Sequence, residues 1–234
     1  MNNNLLQIKI KQRLNKLASF DFDNLECWQI AEAFNKAQLE WTRRMVYGIN
    51  SRKEGSEQST GLIDDIRVLL KDDLLTVVYK PLSDHVECDI PNDYLYYVRT
   101  DAWAKKDCCP ERKVIVYEVE EANLGIYLSN DTKEPNFEWA ETLGTLMGDK
   151  LRVYTNNKFD ITKVNLVYYR KPREVQILGC SNPSTGTAYT IDQTCEFKDD
   201  VAELLLDNAA AILAGDIESM NQFQRENQNV QSNS

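Results

Sequence analysis

One histidine, six cysteines and four pairs of adjacent carboxylates are the residues of this chain best suited to chemistry. His85-x-x-Cys88 has the look of a metal half-site, and Cys108–Cys109 is a conceivable second half. Structural zinc sites favour ligands two to four residues apart, and adjacent cysteines rarely aim both sulfurs at one ion without strain. The cysteines (Cys27, Cys88, Cys108, Cys109, Cys180 and Cys195) read better as small buried hydrophobes or exposed thiols. Acid–base chemistry through an imidazole would have to use His85, which sits near Pro81 and Asp84 with no nucleophile motif around it. The carboxylate pairs Asp64–Asp65, Asp72–Asp73, Glu120–Glu121 and Asp199–Asp200 do not converge naturally on one metal, because neighbours on a helix point about 100° apart. There is no G-x-S-x-G elbow, no Walker loop and no glycine-rich dinucleotide turn. The reading is a protein with no catalytic residues, no metal ligands and no cofactor.

A different kind of chemistry is concentrated in "NLVYYRKPREVQI", Asn165 to Ile177. Its first half alternates as a strand does, with Leu166, Tyr168 and Arg170 on one side and Val167, Tyr169 and Lys171 on the other. Arg170, Lys171 and Arg173 then crowd around Pro172, which has no N–H to give a ladder, so pairing should stop there or the strand should lie at an edge. A catalytic clamp, a nucleic-acid contact and a docking edge for another chain would each use such a cluster. Two further basic patches stand at Lys9, Lys11, Arg13 and Lys16 and at Arg43–Arg44, while the chain as a whole carries a net charge of −10. That balance argues against a nucleic-acid-coating surface, although the patches, with Tyr168, Tyr169 or Trp41 for stacking, keep a nucleic-acid-binding module in view.

The elements that must position these groups follow from length and periodicity. A chain of 234 residues with 42% hydrophobic and 27% charged residues can bury a core, and one domain with appendages is expected. No apolar run is long enough to span a membrane, and the first residues lack the apolar stretch and cleavage site of a secretory leader. A cytosol-like compartment and reduced thiols are the expectation.

Leu6, Ile10, Leu14 and Leu17 predict a first helix, and a second is predicted from about Leu25 to Tyr47, stopped by Gly48. A short helix is predicted over "LIDDIRVLLK", and one tight helical turn over "IPNDY". "LLTVVYK", "HVECDI", "YLYYVRTDAWAK" and "KVIVYEV" predict strands, and "EEANLGIYLSN" a short helix. "ETLGTLMGDKLRVYTNN" predicts a hairpin turning at Gly148–Asp149. A long final helix is predicted over 196–226, with Asp199–Asp200 at its start and a polar tail over 227–234. The expected fold class is therefore α+β. N-terminal helices (1–72) and a long C-terminal helix would pack with a mainly antiparallel β-sheet region (73–195) in one integrated domain.

Taken together, "AFNKAQLEWTRR", "GLIDDIRVLL", "PNDYLYYVR", "FEWAETLGTLMGDKLRVYTN", "VNLVYYRKPREVQI" and "FKDDVAELLLDNAAAILAGDIESMNQFQ" resemble the neck, or ring, proteins of crAss-like tailed phages of Bacteroides. More distantly, the strand ending in Tyr168–Pro172 and the later acidic-started helix resemble the head-to-tail adaptors of short-tailed phages. The resemblance implies a structural virion protein, assembled in the host bacterial cytoplasm, that forms a twelve-fold ring between portal and tail. Its partners would be the portal protein, adjacent tail or neck rings and further copies of itself. Genome DNA would only pass through the channel, and no membrane would be involved. The implied contact residues are Tyr168, Tyr169, Arg170, Lys171, Pro172 and Arg173 on the strand end, with Ile217, Met220 and Phe223 on the last helix as anchors for a partner groove. Another neck or tail layer of the same phage is the closest alternative.

Overall fold

The computed structural model describes residues 1–15, 25–47, 64–80, 83–107, 109–182 and 185–216. It contains helices α1 (Asn3–Asn15), α2 (Cys27–Tyr47), α3 (Glu121–Leu128) and α4 (Asp199–Asp216), and a 3-10 turn at Arg67–Leu69. The strands are β1 (Leu70–Leu75), β2 (Val77–Tyr79), β3 (His85–Asp89), β4 (Tyr94–Lys106), β5 (Cys109–Glu118), β6 (Glu141–Met147), β7 (Lys150–Tyr154) and β8 (Asp160–Arg170). The chain divides into two compact units, one of residues 1–69 with 172 onward and the other of Leu70–Lys171.

All eight strands lie in the second unit, in the order β1-β8-β4-β5-β6-β7-β3-β2. β1 and β2 stand at opposite ends of that order, yet only Thr76 separates them in the chain. One bent segment therefore pairs with β8 through its first half and with β3 through its second, which curls the sheet into a nearly closed barrel. Near the closure, the Tyr79 hydroxyl on β2 donates to the Ile161 carbonyl of β8. Register shifts at Tyr94/Tyr96, Tyr97/Arg99 and Trp103/Ala104 of β4 supply the local bends that such curvature needs. β5 and β6 pair in parallel, because the chain between them crosses over through α3.

Alternation fills the barrel. Ala102 and Ala104 of β4, Val114 and Val116 of β5, Leu151 and Val153 of β7, and Ile161, Val164, Leu166 and Tyr168 of β8 share one buried cluster. A smaller cluster joins Leu124 of α3 to Leu143 and Tyr154. Gly148, at φ 61°, makes the β6–β7 turn in the left-handed region where a side chain would be strained.

The other unit is helical. Leu6, Ile10 and Leu14 of α1, Ile30, Phe34, Ala37 and Trp41 of α2, and Val201, Leu205 and Ala209 of α4 are buried. Trp41 meets Phe197 edge to face, with ring centroids 5.1 Å apart. Arg13 donates to Glu203 at 2.8 Å and also reaches Asp207, and Lys9 reaches Glu203, so two cations of the basic N-terminus are neutralised by α4.

The α+β class expected above is overturned. The molecule is mainly a nearly closed, eight-stranded mixed sheet, and its last described helix begins at Asp199, not at 196, and is described to Asp216. Periodicity announces strands but is silent on their closure, which depends on the bend at Thr76. The described part of the segment 172–198 has isolated bridges (Gln176 with Gln193, Ser181 with Ala188) and no named strand. "IPNDY" is a turn closed by Tyr94 N–H to Pro91 carbonyl at 3.0 Å, with no helix. The described part of "LIDDIRVLLK" is a single helical turn, then the 3-10 turn, and Leu70 already belongs to β1. The tail after residue 216, with Ile217, Met220 and Phe223, lies outside the described residues.

Gly144 of β6 stands beside Glu118 of β5, and a Cβ there would stand 2.7 Å from Val116 Cγ1 and 3.3 Å from the Arg152 carbonyl. Gly144→Ala is expected to lower stability by ~1–3 kcal/mol through overpacking, read as a lower midpoint in urea denaturation.

Candidate functional site

β8 is an interior strand, flanked by β1 and β4, and its pairing ends at Arg170 opposite Tyr94. Tyr168 sits between Lys71 and Tyr97 of the two neighbours and is 0% exposed. Its hydroxyl lies 2.8 Å from Asp73 Oδ2 and 2.8 Å from Asp93 Oδ1. A phenol has one proton, so it donates to one carboxylate at a time. The second negative charge is held by Lys71, whose Nζ is 2.9 Å from Asp73 Oδ2 and 3.2 Å from Asp93 Oδ2.

The protonation states follow. The bond to Asp73, then those to Tyr168 and Asp93, raise the Lys71 ammonium well above its ordinary value. Burial, then the Asp93 and Asp73 bonds, raise the Tyr168 phenol. Burial pushes the Asp93 carboxyl upward, but the bonds from Tyr168 and Lys71 outweigh it and leave it below the usual range. Lysine stays charged and tyrosine neutral. The cluster is a lock between β1, β8 and the turn before β4, with no group poised to give or take a proton near neutrality.

The strand end therefore divides by role. Tyr168 points inward as part of this lock, Tyr169 and Arg170 are half-buried, and Lys171 is exposed. The Lys171 N–H donates to the Asp93 carbonyl at 2.7 Å, and Arg170 Nη1 donates to the Lys171 carbonyl at 3.1 Å. Pro172 is half-buried and Arg173 exposed in the helical unit, where the Arg173 N–H donates to Glu196 Oε1 at 2.8 Å and its guanidinium Nε lies 4.0 Å from Glu196 Oε2. Trp41, considered above for base stacking, is buried against Phe197.

β1, whose first four residues sequence reading takes for helix and loop and whose last two it places in the strand "LLTVVYK", completes this surface. Among the described residues it pairs only on its β8 side, where Leu70 stands opposite Tyr169. Lys71, Asp73 and Leu75 turn toward the barrel, which leaves Leu70 and Leu74 at 44% and 63% exposure on the other face. Acidic residues make "LKDDLL" a poor strand by propensity. No alternation of leucines with charges marks it, because each face of the strand carries both.

His85 and the thiols do not form a site. Residues 85 and 88 of one strand face opposite sides, so the suspected half-site cannot converge. Cys88 is in the barrel core, and burial, with Asp89 nearby, pushes its thiol up to about 12. His85 Nδ1 is 2.9 Å from both Ser83 Oγ and Asp84 Oδ1. The neighbouring cleft of about 340 Å³ is lined by Lys80, Lys105, Lys106, Lys158 and Asp160, among others. Glu87, Glu138 and Glu134 already hold three of those lysines. No group of three His, Cys, Asp or Glu among the described residues could hold a metal ion.

The expectation of reduced cysteines is corrected at one pair. Cys27, at the start of α2, and Cys180 are joined by a disulfide with Cα atoms 5.9 Å apart. Their separation of 153 residues puts the pairing beyond any reading of local spacing. Cys88 and Cys195 are free thiols.

No protein-family model matches the chain, and no curated protein matches it. Among the described residues, no helix is long and apolar enough to cross a membrane.

Two measurements check the electrostatics. Tyr168→Phe keeps the ring and removes the proton shared by Asp73 and Asp93, and is expected to cost ~1–3 kcal/mol in chemical denaturation. Glu87 is held by Lys80, against the opposing effect of burial, and then by Arg152, which takes its carboxyl from 4.5 down to about 2. A depressed carboxylate contributes stability that is present above pH 4.5 and is lost as pH falls toward 2. Glu87→Gln should therefore lower stability at neutral pH and flatten that part of the acid-unfolding curve.

Proposed function

We propose that this protein is a structural component of a tailed-phage virion: a ring protein between portal and tail that continues the DNA channel. The observation that carries the reading is the open strand β1. It shows Leu70 and Leu74 to solvent beside the strand end that bears Arg170 and Lys171. Large apolar side chains on an unpaired sheet edge, rimmed by cations, are the chemistry of a surface that another chain covers. Asp72 and Asp73 on the same strand discourage two copies of the edge from pairing with each other, because they would place like charges opposite. A head-to-tail contact between different surfaces suits this edge, and such contacts close into rings.

The sequence resemblance points the same way, and the overall charge of −10 suits a channel wall that does not grip moving DNA. Lys9 and Arg13, two of the cations a DNA-binding reading would use, are engaged by Glu203 and Asp207.

The test is the mass of the protein alone and mixed with the portal protein of the same virion, with Leu74→Glu as the altered chain. A ring or a portal complex is expected for the native chain and its loss for Leu74→Glu, with circular dichroism unchanged. DNA binding whose affinity falls steeply with salt, together with indifference to portal, would replace this reading by a nucleic-acid-binding one.

A further inference from the structure

The helical unit has a cavity of about 210 Å³ on the first half of α2, lined by Trp28, Ala31, Glu32, Asn35, Glu174 and Tyr189, with Asn182 at its margin. Its chemistry is one-sided. Glu32 and Glu174 are exposed and make no ion pair among the described residues; Arg173, next in the chain, is turned to Glu196. The Tyr189 phenol is raised by burial and then by the nearby charges of Glu174 and Glu32. The Trp28 indole N–H is taken by Glu26, which leaves the ring as a wall. The amide of Asn35 is tied to the backbone of Val175 on both its atoms, at 3.1 and 2.7 Å, so this lining is fixed. The positive end of the α2 dipole, about half a charge, is outweighed by the carboxylates. Two aromatic rings and two carboxylates lining one cavity are a receptor for a planar cation that stacks and donates bidentate hydrogen bonds, which describes a guanidinium.

The same helix carries a matching group. Eleven residues beyond Glu32 the helix has made three turns and about 20° more, so Arg43 lies on the face of Glu32, about 17 Å along the axis. Arg43 is exposed and, among the described residues, makes no ion pair. Among the described residues, α2 thus carries an anion without an ion pair (Glu32) and an aromatic wall (Trp28) near its start, and a guanidinium without an ion pair (Arg43) on the stripe of Glu32 near its end.

We propose that the cavity receives Arg43 of a second copy of this chain. Receptor and cation lie on one stripe of α2, so each copy gives a cation at one end of the helix and takes one at the other. This rests on the self-association in the connector reading and names one contact that would build it.

The test is charge exchange, read by sedimentation of the full chain across a concentration series. Glu32→Arg with Glu174→Arg, and separately Arg43→Glu, should each weaken self-association on the order of tenfold or more, as expected for breaking an interfacial charge pair. All three changes in one chain should restore much of it. Loss without restoration, or association that ignores every exchange, overturns the proposal while leaving a ring-forming connector intact. Weakened portal binding from the Glu32/Glu174 exchange alone, with Arg43→Glu silent, overturns it by assigning the cavity to a cation of the portal. A native chain that is monomeric and ignores portal removes both readings.

Discussion

Everything in the barrel depends on one segment being shared by two neighbours. Residues 70–79 give their first half to β8 and their second to β3, and Thr76 is where the allegiance changes. Without that bend the sheet would be open, with β1 and β2 as two distant edges and the residues between them exposed on one face. With it, Leu75, Val86, Leu151 and Ile161 reach a common interior. Closure also explains why so much polarity is tolerated near the core, since Asp73, Asp93 and Lys71 meet at the rim where water can still reach them.

That rim cluster links fold to surface. Tyr168 faces the interior and the exposed Lys171 is three residues on, but both are tied to Asp93, one through its carboxylate and the other through its carbonyl. The cations at the strand end are therefore presented from a fixed backbone. A surface meant to recognise a partner loses less entropy when its backbone is already held.

Much of the local structure was legible in the sequence. Period-two alternation located β3 and β4, the Gly148 turn located the β6–β7 hairpin, and the leucine stripe located α1. β1 was hidden because aspartates in strands are rare, and here Asp73 is present for the hydroxyl of Tyr168. Closure was hidden because it resides in registers between residues nearly a hundred positions apart, such as Leu70 with Tyr169. Of the candidate surface, the cations at 170, 171 and 173 could be read directly. The inward turn of Tyr168, the exposed leucines beside it and the aromatic-walled cavity on α2 could not, since each needs partners from distant segments.

The disulfide has a topological meaning. Cys27 and Cys180 lie on either side of residues 70–171, so the entire barrel is strung within one covalent loop of the chain. A protease that cuts any connection between the strands would yield two polypeptides still fastened to each other, separable only after reduction. A single backbone scission within the barrel would not by itself detach either piece.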